Sequence, residues 1–389
     1  MMSRSLIHVV DVDPRFCQDG RAVVRTSETT LYVIGEFRPA GSVFVGFKKS
    51  TNNGISWSNP VQVLSGTGVT AFACYYDRWT AGDAGTLIHI ACIEAAGADD
   101  VQYRTLDISS DTLGTERTVF SGASTVTGSA MLSLCKARGG NLYIAFDLDG
   151  GTETGFYRST DAGVTWGSRS NLNEGSGDLY SLHPGNYADN QDIDAIFWDT
   201  SADEISLKTY DDSGDAWSEA SISTGMADVT RTTAAPQFSA QVRHSDGHLI
   251  LVAWNSRDVS TADLKVWDIN GAGSITAKTD VVTNADDCQC ALLAITQGAD
   301  TLVVVYLGKS DGSEVVGTSV GVYGKTSTDG GATWGAEFTL TDVLSTYFWL
   351  GGCPSWATFK LDVTMSASST EQHLLIEHNR AGRGIGRGM

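Results

Sequence analysis

Proline is scarce in this chain, with 6 in 389 residues, and no apolar run approaches bilayer thickness. A membrane-spanning helix needs about 20 consecutive apolar residues, so no membrane insertion is expected. Cysteine is sparse and scattered, at Cys17, Cys74, Cys92, Cys135, Cys288, Cys290 and Cys353. That excludes a disulfide framework at this length. Most of these thiols stand in apolar runs such as "LIHIACIEA", where they act as small core residues. Basic residues are in deficit, 26 Lys and Arg against 46 Asp and Glu, for a formal charge of −20. Nucleic acid requires a basic footprint and is excluded as the main partner. The opening "MMSRSLIHVVDVD" holds an apolar run of about five residues, shorter than a secretory h-region. No export signal is visible, and a cytoplasmic location is one expectation.

What the chain does have is a repeat. "STDGGATW" ends at Trp334, "STDAGVTW" at Trp166 and "STNNGISW" at Trp57; weaker relatives are "YDDSGDAW", ending at Trp217, "WDINGAGSI", ending at Ile275, and "LDISSDTLG", spanning 106–114. With Leu113 and Ile275 in the place of Trp, successive copies lie 51 to 59 residues apart. Each is preceded by an apolar run rich in Val, Ile, Tyr and Phe, such as "TTLYVIGEF", "GNLYIAFDLD" or "DTLVVVYLGK". Bounded by turn residues, these read as buried strands. A shorter run comes before each, and another, with a basic residue near its end, comes after. The unit is four strands, A to D, with the repeated octapeptide as the C–D turn. Four-stranded units at this period predict an all-β fold, a β-propeller. "SLIHVVDVD", "YFWLGGCPSWATFKLDV" and "EQHLLIEHN" add three strands from the two ends, a composite closing blade. Seven blades follow on that count, with six blades plus a clasp as the alternative. Residues 1–379 form one domain on this reading, and 380–389 a flexible Gly/Arg tail.

The octapeptide S-x-D-x-G-x-[TS]-W resembles the Asp-box of the sialidase-type, or bacterial neuraminidase, repeat. Ser50, Asn52, Gly54 and Trp57, then Ser159, Asp161, Gly163 and Trp166, then Ser327, Asp329, Gly331 and Trp334 occupy its positions. The residue types suit a turn. An Asp side chain accepts from turn amides, Gly permits positive φ, and Trp supplies an apolar plate. The resemblance implies that these turns lie away from the functional face. B–C loops and D–A crossovers then surround the other end of the channel.

Sialidases resemble the first repeat further, with an arginine opening strand A and E-x-R ending strand B. On that match Arg21 is the first arginine, Glu36 and Arg38 form the E-x-R, and Arg257 in "WNSRD" is a further carboxylate binder. Guanidinium groups suit a sugar carboxylate because each donates two parallel hydrogen bonds. The chain departs from the pattern in having Ala22-Val23 where the family has Ile-Pro. "PAGSVFVGF" also lacks the expected acid, and no motif places a Tyr nucleophile. The predicted loops are acidic, with Glu94, Asp147, Asp199 and Asp258 among them.

Trp198 and Trp254 end equivalent B strands beside Asp199 and Asn255, which suits neutral sugars as aromatic plates next to polar side chains. The Asp-rich loops also offer oxygen ligands of the kind Ca²⁺ takes, but without a calcium-binding spacing; no other cofactor or metal is expected. Arg380, Arg383 and Arg387, spaced by glycines, read as a basic arm for docking on other proteins of a larger assembly. The resulting expectation is a non-enzymatic propeller, a decoration, fibre or tail component of a phage or virus particle, with glycans as a further partner and the virion as its location. The alternative is a glycoside hydrolase or lyase acting on cell-surface polysaccharide.

Overall fold

A computed structural model describes residues 3–8, 12–13, 20–37, 44–64, 69–94, 100–122, 130–148, 153–172, 177–226, 238–254, 264–282, 288–308, 320–345, 349–353, 355–356, 362–368 and 371–378. Arg38, Asn255, Arg257 and the 380–389 tail lie outside these.

The six repeats are six antiparallel sheets, each a blade of the propeller. In blade three, Met131–Lys136 pairs with Leu142–Asp147, which pairs with Thr154–Ser159, which pairs with Gly167–Ser168. The B strands are the apolar runs of the sequence: Leu31–Phe37, Leu87–Glu94, Leu142–Asp147, Ile193–Asp199, Leu249–Trp254 and Thr301–Gly308. Leu31–Phe37 is buried at every position, as a strand covered on both faces must be. The outer D strands lie at the rim and show it. Ala216–Thr224 has no buried residue.

Burial on both faces leaves the first and last blades with one uncovered side unless the ring closes. A sheet drawn from both chain ends lies between them. Ser3–His8 pairs with Glu371–His378, that strand with Asp362–Ser368, and that one with Trp349–Gly352. The middle segment of the three terminal ones thus supplies two strands. Ser355–Trp356 additionally runs parallel to Ile295–Thr296 of blade six. One apolar cluster unites Val23, Leu31 and Phe37 of blade one, Val303 and Leu307 of blade six, and Leu350 and Val363 of the terminal sheet.

A buried ion pair locks this junction. Arg25 Nε and Nη2 donate to the two oxygens of Asp362, each at 2.6 Å. Burial disfavours the guanidinium charge, but the hydrogen bonds and charge of Asp362 more than offset it, so the Arg25 pKa is raised. Removing one partner of such a pair strands the other charge, at a cost of about 3–5 kcal/mol. Asp362→Ala should therefore lower stability in urea denaturation by about that amount. The double variant Arg25→Met, Asp362→Leu should recover most of the loss.

Candidate functional site

The Asp-box turns occupy one end of the ring. In blade three, the Ser159 hydroxyl accepts from Gly163 N at 2.8 Å and donates to Asp161 Oδ1 at 2.8 Å. Asp161 also accepts from Thr165 N at 2.8 Å and Thr165 Oγ1 at 2.6 Å. These bonds, led by the Thr165 hydroxyl, lower its carboxyl from 3.8 to about 2. The Asp329 turn repeats the pattern and reaches the same value. Asn52 keeps it without a charge, accepting from Ser56 N at 2.9 Å and donating from Nδ2 to Ser56 Oγ at 2.8 Å. Gly163 has φ +87°, and a Cβ there would stand 2.3 Å from Tyr103 Cε1 of the preceding blade. Trp166 packs edge-on against that Tyr103 ring, 5.1 Å between centroids. The boxes are turn locks and blade-to-blade spacers. A carboxyl depressed in the folded state stabilises it above the unfolded pKa and loses that contribution as pH falls through the folded pKa. The double variant Asp161→Asn, Asp329→Asn should accordingly flatten the pH dependence of Tm between about 4 and about 2.

The eroded turns do different work. Asp111 accepts from Lys49 Nζ at 2.6 Å and Tyr32 OH at 2.7 Å of blade one. Asp212 likewise accepts from Arg158 Nη1 at 2.6 Å and Tyr143 OH at 2.8 Å of blade three. A Tyr plus a cation from one blade thus grips an Asp on the next. Of the other basic residues near the ends of C strands, Arg104, Lys208 and Lys325 donate instead to the backbone carbonyls of Val63, Leu172 and Val281.

In the channel, Arg21 is 3% exposed. Its terminal nitrogens donate to Leu134 O of blade three and Leu182 O of blade four, and Nη2 meets His183 Nδ1 at 2.9 Å. Tyr75 of blade two lies under the guanidinium, 5.7 Å from its centroid. Burial, then the Arg21 charge, holds the His183 pKa well below its ordinary value, so the ring is neutral. Arg21 can only donate, which makes Nδ1 the acceptor and leaves Nε2–H to donate to Ser181 Oγ at 2.7 Å. Sequence reasoning missed His183, whose strand "LYSLHP" carries no motif. Arg21→Met removes the donors from this buried network, and a stability loss of about 1–3 kcal/mol is expected. Unchanged stability in urea together with a raised KM would instead mark Arg21 as a substrate-carboxylate ligand.

At the opposite end, Glu36 and Asp147 hold equivalent positions, each five residues beyond the B-strand residue paired with the Asp-box serine. Glu36 is 1% exposed and Asp147 fully buried. Trp198 takes the same position in blade four. It is 0% exposed and packs on Phe238 of blade five, 6.3 Å between centroids. Trp254 is 3% exposed within the core. The expectation that these two indoles are sugar plates is corrected on that ground, since neither presents an open face. Their apolar area is used between blades, as residues at strand positions covered on both sides must be. Asp199 turns its carboxylate inward, accepting from Ser201 N at 2.8 Å and Ala202 N at 3.0 Å, an Asx-type turn. Asp178 accepts from Thr200 N at 3.4 Å, which ties the start of strand A to the B–C loop. Among the described residues, no three His, Cys, Asp or Glu side chains gather to hold a metal ion.

No family model and no curated protein matches the chain. Solved structures do share its fold. An ulvan lyase of polysaccharide lyase family PL25, bound to -[GlcA(1-4)Rha3S]-, superposes with a TM-score of 0.57 at 10% identity, covering 95% of each chain. A GH74 xyloglucanase from Xanthomonas campestris gives 0.52 at 13%, covering 96% of this chain and 53% of its own. A Hadza microbial sialidase gives 0.50 at 14%, covering 97% and 69%. All three are named as carbohydrate-active enzymes. That overturns the expectation of a non-enzymatic particle component, which rested on the tail and on the missing acid after Arg38.

Proposed function

We propose that this chain, a sialidase-like β-propeller by fold, is an enzyme that cleaves polysaccharide at the channel end bearing the B–C loops and D–A crossovers. The observation that carries the reading is the end-to-end correspondence with the ulvan lyase, 95% of both chains. Fold alone does not assign chemistry, and the residues at that end add the second support. Glu36 and Asp147 are carboxyls buried at equivalent strand ends on that side of the ring. Strand ends of a rigid ring are also where positioned acids and bases are most useful.

Cleavage of a glycosidic bond needs a proton for the departing oxygen and a base or nucleophile on the other side of the ring. Glu36 and Asp147 are closed to solvent like Trp198 at the equivalent position, so they stand beneath that face as positioning residues for groups of the B–C loops rather than as groups that touch substrate. Arg38 and Arg257 remain the candidate contacts to substrate. Purified full-length protein should release new reducing ends from at least one member of a panel of plant, algal and bacterial polysaccharides. Glu36→Gln or Asp147→Asn should cut that rate by about 10², the usual cost of a small misplacement of the reacting groups, with Tm little changed. No release from any polysaccharide would defeat the reading. Full activity in both variants would move the positioning to other residues.

A further inference from the structure

We infer that Asp194 is a proton-responsive anchor at the turn end of the ring. In mildly acidic solution its buried carboxyl takes a proton from water, and the loop that joins blade four to blades three and five is then held more firmly than at neutral pH. Asp194 is the second residue of the blade-four B strand, Ile193–Asp199, and is 6% exposed. Its Oδ1 accepts from Tyr187 OH at 2.7 Å and from Thr209 Oγ1 at 3.1 Å. Both donors are neutral hydroxyls, and among the described residues no Lys or Arg pairs with this carboxyl. Burying an ionised carboxyl without a cation costs far more than burying the neutral acid.

The groups packed around it tilt the balance the same way. On its own strand and loop lies Asp192, itself surrounded by Asp189, Asp211 and Asp212. On the A strand the cross-strand partner is His183, which is neutral, and beyond it Arg21 is engaged with that imidazole and the Leu182 carbonyl. From blade three comes the buried Cys135 thiol, within reach of the Asp194 charge. Of the blade-three cations, Arg138 donates to Asn186, Arg158 to Asp212 and Arg169 to Tyr210. Burial raises the Asp194 carboxyl from 3.8 to about 6; the two hydroxyl bonds oppose that rise and the Asp192 charge adds to it.

What depends on this carboxyl is the blade-four A–B loop, residues 185–192. Tyr187 anchors it, with its ring so close to Gly185 that a Cβ there would stand 2.6 Å from Tyr187 Cδ2. Asn186 accepts from Arg138 Nη1 of blade three at 2.5 Å and donates to Asp246 O of blade five at 3.0 Å. Asn190 O accepts from Gly139 N at 2.7 Å, and Gln191 Oε1 from Asn141 N at 3.1 Å, both of blade three. One loop thus joins three blades, and Asp194 holds it through Tyr187. A carboxyl raised in the folded state contributes stability that is fully present below the unfolded pKa and is lost as pH rises through the folded one. For Asp194 that window runs from about 4 to just above about 6.

Melting curves of the full chain from about pH 4.5 to about 7.5 test this. The comparison is Asp194→Asn, which keeps a neutral acceptor for both hydroxyls. As pH rises from about 5 to about 7, the Tm of the unaltered protein should fall by about 2–4 °C relative to that variant. Parallel profiles for the two proteins would overturn the inference. Tyr187→Phe gives a second check that does not need Asp194→Asn to fold, because it keeps the ring against Gly185. It removes a donor that favours the carboxylate, so the midpoint of the pH-dependent fall in Tm should move upward by about half a unit. A midpoint that stays in place would also overturn the inference, since loss of a merely structural hydrogen bond lowers Tm equally at every pH.

Discussion

Every blade of this protein buries both faces, and that single requirement organises the rest. A sheet with an open apolar face would aggregate or melt, so the ring has to be completed by whatever chain is left over. The terminal sheet meets that need with one strand from the beginning of the chain and three from the end. Its apolar contacts reach blade one and blade six alike. The Arg25–Asp362 pair adds direction to this otherwise unspecific packing, because two parallel hydrogen bonds fix one register between strands far apart in sequence. Joining the ends this way couples the stability of the whole ring to one interface.

The two ends of the ring then divide their labour. The turn end is rigid and fully occupied by its own chemistry: Asp-boxes lock their own hairpins, while Asp111 and Asp212 lock one blade to the next. Most described cations are consumed there. The other end carries carboxyls at strand ends, among them the buried Glu36 and Asp147. Arg21, His183 and Ser181 sit between the two ends and tie blades one, three and four together across the axis.

Much of this was readable from residue order because it is local. Strand B of each repeat is a run of β-branched and aromatic residues between turn formers, and period and turn chemistry follow from residues within eight positions of each other. The three terminal strands were likewise visible as apolar alternations, although the hairpin inside 349–368 was not, since Gly351 and Gly352 interrupt its first strand. That the B–C loops and the Asp-box turns lie at opposite ends of the ring followed from strand parity alone.

Side-chain fate was decided only in three dimensions. Arg21, Trp198 and Trp254 carry the residue types of a carbohydrate site and stand at the right strand ends, yet all three are turned into the ring. Whether a side chain at a strand end faces a neighbouring blade or solvent depends on which face of the sheet it leaves and on what the next blade brings opposite it. For Trp198 that is Phe238, forty residues on. For Arg21 it is carbonyls more than a hundred residues away. Residue order determined the repeat, the turns and the all-β ring, because those rest on hydrogen bonds and periodicity within one hairpin. The tertiary structure decided which charges are paired from blade to blade, because pairing across blades is a matter of distance in space.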